Sequence, residues 1–249
     1  MPRGSKWLLA AGVFAFFLII LANLPASLAA RWLPPAISVG TLGGTLWHGE
    51  ALTVRAGNFD IERLAWRLHP LALLSGKFAA RIEAASARDH ISAEVVFERG
   101  GRLEARTAEV QIDAAALAGR ALPTGWAGPV HVHLEELIVE QGWITAIRGT
   151  ADTGTLTGPP KVQPYLGSYR LEFGNDAIAA PGEVVGHFRD AGGPIEISGE
   201  LRLYRDHRAV VSGWVRARPG APQAVVDDIA RLPESDPQGR RRFSIENSF

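Results

Sequence analysis

The side chains best placed for chemistry are His131 and His133, which stand at i and i+2 in an alternating segment and so share one face of a strand. Two imidazoles alone make a poor zinc site, and a third ligand such as His48 or Glu135 has to converge on them. The same spacing equally describes the solvated face of an amphipathic strand. Asp227-Asp228 offers paired carboxylates, but neighbours on a helix diverge by about 100°, which suits a solvated helix face better than acid–base work. Arg240-Arg241-Arg242 is a basic run suited either to anionic headgroups or an acidic partner, or to a solvated strand edge. No nucleophile elbow, zincin motif, phosphate-binding loop or calcium loop is found. With no cysteine, disulfides, thiolate metal sites, Fe–S clusters and cysteine nucleophiles are excluded. The expectation is a protein without catalytic, metal or cofactor-binding residues, in which Arg240, Arg241 and Arg242 are the candidate partner contacts.

The elements that must position these residues begin with an apolar run. Residues 7–30 contain no ionisable side chain, and as a helix they reach about 36 Å, enough for a hydrocarbon core of about 30 Å. Arg3 and Lys6 precede the run, and every Asp and Glu follows it. That asymmetry predicts a cytoplasmic tail (1–6), a transmembrane anchor (7–30) and an exported region (31–249). Trp7 and Trp32 fall near the two expected interfaces. A cleaved signal peptide ending near Ser27-Leu28-Ala29 is the competing reading, although the apolar core is longer than such segments usually are.

The whole chain of 249 residues has 26 basic and 26 acidic side chains, a balance that argues against nucleic-acid binding. With Arg3 and Lys6 set aside, 24 basic and 26 acidic residues remain in 31–249, a net of −2. Period-two alternation dominates this region: Phe78, Ala80, Ile82 and Ala84 face one way, as do Ile91, Ala93, Val95 and Phe97. Val130, Val132 and Leu134 alternate with polar neighbours. Ile195–Leu203 and Val211–Val215 read as a hairpin turned at 205–208. Short helices are predicted at Pro70–Ser75, at Ala114–Ala118 behind an Asp113 cap, and at Pro222–Leu232. No βαβ alternation appears, so the expected fold is mainly β: an extended, curved antiparallel sheet with a few short helices behind one transmembrane helix. Thr150–Pro164 is a long loop that could divide the sheet. Trp47, Trp66, Trp126, Trp143 and Trp214 could fill the sheet's concavity, or line a groove for an acyl chain or peptide.

An ordered set of motifs carries a resemblance over nearly the whole chain. It runs through Gly43-Gly44-Thr45-Leu46-Trp47-His48-Gly49, Leu64–Pro70, Leu73–Gly76, Leu122-Pro123, Gly142-Trp143, Leu166–Tyr169 and Gly193–Gly199. It closes on Arg218-Pro219, Ala221-Pro222 and Gly239–Phe243. In this order they resemble the type II secretion system protein N family. The resemblance implies a non-enzymatic inner-membrane component of a Gram-negative secretion machine. Its periplasmic domain would contact other secretion subunits, the outer-membrane secretin being one candidate. Trp66-x-Leu68-x-Pro70 with Leu73-Leu74-x-Gly76 is also similar to AsmA-like envelope proteins, which implies an alternative as a periplasmic lipid-binding or lipid-bridging protein with an apolar groove.

Overall fold

The computed structural model describes residues 13, 16, 19–28, 37–56, 59–87, 89–117, 124–159 and 167–248. Among these residues it is mainly β, with thirteen strands in two compact units, Met1–Ala87 and Arg88–Phe249, and within each unit sequence neighbours pair antiparallel.

The first unit holds a meander of β1 (Ile37–Gly44), β2 (His48–Ala56), β3 (Phe59–Leu68) and β4 (Lys77–Ala85), with α1 (Pro70–Leu74) between the last two. Directly paired residues share a face. Leu42, Ala51, Leu64 and Ala84 form one apolar row, and Leu68 faces Ala80 beside it. The opposite face carries Glu50, Ala65 and Glu83 in one row and His48, Arg67 and Arg81 in the next. Simple alternation fails in β2, where the buried Ala51 and Val54 stand three apart with Thr53 at φ 57° between them. That left-handed residue resets which side faces inward.

The second unit is a longer meander: β5 (His90–Glu98), β6 (Arg102–Asp113), β7 (Pro129–Glu140), β8 (Trp143–Thr153), β9 (Ser168–Phe173), β10 (Glu183–Gly192), β11 (Ile195–Tyr204), β12 (Arg208–Ala217) and β13 (Arg241–Ser248). Thr107, at φ 49°, repeats the device of Thr53 between buried Ala105 and Ala108. Buried residues gather in two small clusters. Ala114, Val130 and Leu156 pack with Trp126 and Tyr169, whose phenol burial and the nearby Asp190 charge push up in pKa. Ile195, Val215 and Val225 pack with Ile229, Leu232 and Phe243, so α2 (Gln223–Ala230) lays its apolar side on the sheet. Gly199 and Gly213 are paired across β11 and β12, and a Cβ on Gly199 would lie 2.1 Å from the Ser212 carbonyl oxygen and 2.8 Å from the Phe188 ring. The bareness of Gly199 makes room for Phe188, whose ring centre is 6.2 Å from that of Phe243.

All three predicted short helices form: α1, a 3-10 turn at Ala114–Leu117, and α2. Asp113 caps the second, its Oδ1 accepting from the Ala115 amide at 2.9 Å. One expectation needs correcting. The loop after β8 does not divide the sheet, because Gly149–Asp152 pairs directly with Arg170–Phe173 across it. Cross-strand hydrogen bonding there outweighs the interruption that loop length suggested.

Candidate interaction surfaces

The motif Gly43–Gly49 is the β1–β2 turn, and it clasps the end of the apolar N-terminal segment. Among the described residues of that segment, Val13, Phe16 and 19–22 are helical, and the large apolar side chains of these helical residues are 45% exposed or more. A helix end leaves carbonyls without intrahelical partners. Here the Trp47 indole donates to the Leu21 carbonyl at 2.6 Å, and the Leu46 amide to that of Leu24 at 2.7 Å. Pro25 bridges to Thr45, and Ala26 is buried. Trp66 braces the turn from β3, donating to the Leu46 carbonyl at 2.9 Å. Gly49 has to be bare, since a Cβ there would stand 2.2 Å from the Trp66 ring. Trp47 also accepts, at its carbonyl, the Leu68 amide at 2.7 Å, so one residue joins the helix end to the β3–α1 junction.

Below this turn the polar face of the first unit forms a recess of about 350 Å³ lined by His48, Glu50, Arg63, Ala65, Arg67, Arg81 and Glu83 among others. Arg63 reaches Glu50 at 2.9 Å. Arg67 and Arg81 are direct cross-strand partners, and His48 is the partner of Arg67 on its other side. Like charges in that position repel unless an anion or carboxylate lies near. The small Ala65 floors the recess between Glu50 and Glu83.

At the far end of the chain, β13 pairs with β12 on one side. The three arginines expected to meet a partner all bond within the molecule. Arg240 donates to Asp236 at 2.7 Å and its guanidinium lies 5.7 Å over the Trp214 ring. Arg241 donates to the Leu232 carbonyl at 3.1 Å, and Arg242 to Glu234 at 3.1 Å. Burial works to raise the Asp236 carboxyl, but the hydrogen bonds from Arg240 prevail and hold it below the usual carboxylate range. These contacts strap 232–236 along the start of β13. Beyond them, Ser244, Ile245 and Glu246 are exposed, Ile245 at 61%.

The other candidates stay apart. His131 and His133 are exposed on β7; His133 lies 3.8 Å from Glu109, while Glu135 pairs with Arg148 at 2.8 Å. Asp227 accepts from Gln223 and Asp228 from Arg231, each at 2.7 Å along α2. Among the described residues no three His, Asp or Glu side chains are placed to hold a metal ion. The five tryptophans do not share a lining. Trp47 and Trp66 build the clasp, and Trp126 packs on the Ala114 cluster. Trp143 is opposite Glu140 and Trp214 opposite Ser198 and Arg242, on the charged face. The sequence placed Leu71, Leu73 and Leu74 in a short helix, and Leu73 and Leu74 in the family motif, but assigned them no binding role. Its available signal was a leucine-rich helix too short to have a buried side, within a stretch from Trp66 to Arg81 that contains no acid.

The described residues thus define a mainly β protein of antiparallel meanders with few helices. Residues 35–244 match the family described as type II secretion system (T2SS), protein N, and the chain belongs to that family. It is similar to the type II secretion system protein N of Vibrio cholerae serotype O1, at 24% identity over 92% of this chain and 93% of that protein. No solved structure matches. The chain is thus a component of type II protein secretion.

Proposed function

We propose that this chain is a non-enzymatic subunit held in the inner membrane by one helix within 7–30, with residues 31–249 in the periplasm engaging other secretion subunits. The observation that carries this reading is the clasp: a helical segment with exposed Phe16, Ile19, Ile20 and Leu21 is fixed at its end to the sheet by Trp47 and Leu46. Among the described residues no helix is long and apolar enough to cross a membrane, and half of 7–30 lies outside the described residues, as do Arg3, Lys6, Trp7 and Trp32. Support for the span is therefore the charge-free sequence together with the outward apolar side chains. The partner edge we assign is β13, where added strand pairing past residue 243 suits a secretin or another subunit.

The topology is testable because the chain has no native cysteine. In intact spheroplasts, Ser5→Cys is expected to resist a membrane-impermeant maleimide and Asn247→Cys to react, with the protein resisting alkaline extraction. Reaction at both positions, or release by alkali, contradicts the anchor. The AsmA-like lipid-carrying alternative draws on the half-exposed apolar side of β10–β13 around Leu201, Val211 and Ile245, which α2 covers only at one end. Stoichiometric lipid retained after detergent exchange and seen by mass spectrometry would favour that alternative.

A further inference from the structure

The β1–β2 turn and the β3–α1–β4 connection lie at the same end of the first unit, as an antiparallel meander requires, and Trp47 bonds to both the helix end and Leu68. At that end α1 buries none of its residues. Leu74 is 87% exposed, Leu71 78%, and Leu73 and Phe78 each 44%. A five-residue helix begun by Pro70 and stopped at Ser75-Gly76 leaves its three leucines exposed. Behind it stand Arg67, Lys77 and Arg81 with no acid from 66 to 81, and His48 completes the basic row across three strands. Glu50 and Glu83 stand one row further along the polar face, away from the turns.

From this arrangement we infer a second membrane contact: α1 inserts Leu71 and Leu74 into the bilayer interface while Arg67, Lys77 and Arg81 meet the phosphates of anionic phospholipids. An apolar wedge backed by basic side chains is the pattern of interfacial binding, and neither part is strong alone. The clasp sets the direction: the apolar helix ends at the same turn, so a bilayer holding that helix lies against this end of the sheet. The occupant is therefore an anionic lipid surface. The inference rests on the single-helix anchor proposed above. Two points of attachment fix the tilt of the first unit on the membrane, which a single point does not.

The test uses the full-length protein reconstituted in phosphatidylglycerol-containing or pure phosphatidylcholine nanodiscs, with an environment-sensitive fluorophore on a single introduced cysteine. In anionic discs, Leu74→Cys is expected to shift to the blue and be quenched by doxyl lipids. Asp60→Cys, at the opposite end of the meander, is expected to be quenched by aqueous iodide instead. Arg67→Gln and Arg81→Gln should each lower the ratio of inserted to water-exposed Leu74 probe about fivefold in anionic discs and leave it unchanged in phosphatidylcholine. Both arginines face the polar recess, so circular dichroism should show an unaltered sheet. A probe at Val13→Cys reports the anchor separately. Lipid quenching at Val13 without quenching at Leu74 overturns the second contact and leaves the anchor standing. Absence of quenching at both positions overturns both.

Discussion

Two short helices in this chain begin at proline and end within a few residues, yet they treat their apolar side chains in opposite ways. In α2 and the turn that follows it, the spacing of Val225, Ile229 and Leu232 matches one helical face, which closes over Ile195, Val215 and Phe243. In α1 three leucines fall within five residues, too few for any face to form, and none is buried. The difference teaches what the length of a helix decides. Where a helix is long enough to have a face, it finishes a core; where it is shorter, it offers apolar groups to something outside the chain.

Substitutions at the two helices should separate these roles. The largest effect belongs to Val225→Asp, which places a charge at a site with 0% exposure. We expect a loss of about 3 kcal/mol or more in denaturant unfolding, and Val225→Ala to lose about 2 kcal/mol. Unchanged stability in both variants would detach α2 from the core. Next is Gly49→Ala, whose new methyl has to displace the Trp66 ring. Overpacking of this kind costs about 1–3 kcal/mol. It should also open the Leu46–Trp66 hydrogen bond and shift tryptophan emission to the red. Smaller still in stability is the double change Leu71→Ser with Leu74→Ser, expected within about 0.5 kcal/mol of the parent. A larger loss would show that α1 packs after all and would erase the contrast.

The smallest effect is acid dependence in the C-terminal hairpin. The hydrogen bond that Arg216 donates to Glu196 at 2.6 Å holds that carboxyl below the usual range, prevailing over the opposing effect of burial, with the charges of Arg216, Arg218 and Arg240 adding to it. A group whose folded pKa is depressed contributes stability above the unfolded value and loses it as pH falls through the folded one. The hairpin should therefore loosen below about pH 4. Glu196→Gln should flatten that part of the unfolding curve, and an unchanged slope would remove Glu196 as its source.

Much of this was legible in the residues. Alternation gave the strands, Pro and Gly the helix limits, and the i, i+4, i+7 spacing the buried side of α2. The left-handed Thr53 and Thr107 were not legible, because a threonine at positive φ goes against its local preference and is imposed by neighbouring strands. The arginines 240–242 were legible as a basic run but not as straps, since their partners Leu232, Glu234 and Asp236 are brought close only by the turn before β13. The tryptophans looked like a set because composition carries no information on faces; register places Trp143 and Trp214 among charges.

The most direct measurement is photo-cross-linking in native membranes containing the assembled secretion machine, with a benzophenone amino acid at Leu74 in one strain and at Ile245 in another. The account predicts that Leu74 captures phospholipid and Ile245 captures other secretion subunits. Protein adducts at Leu74 together with only lipid, or nothing, at Ile245 would contradict it.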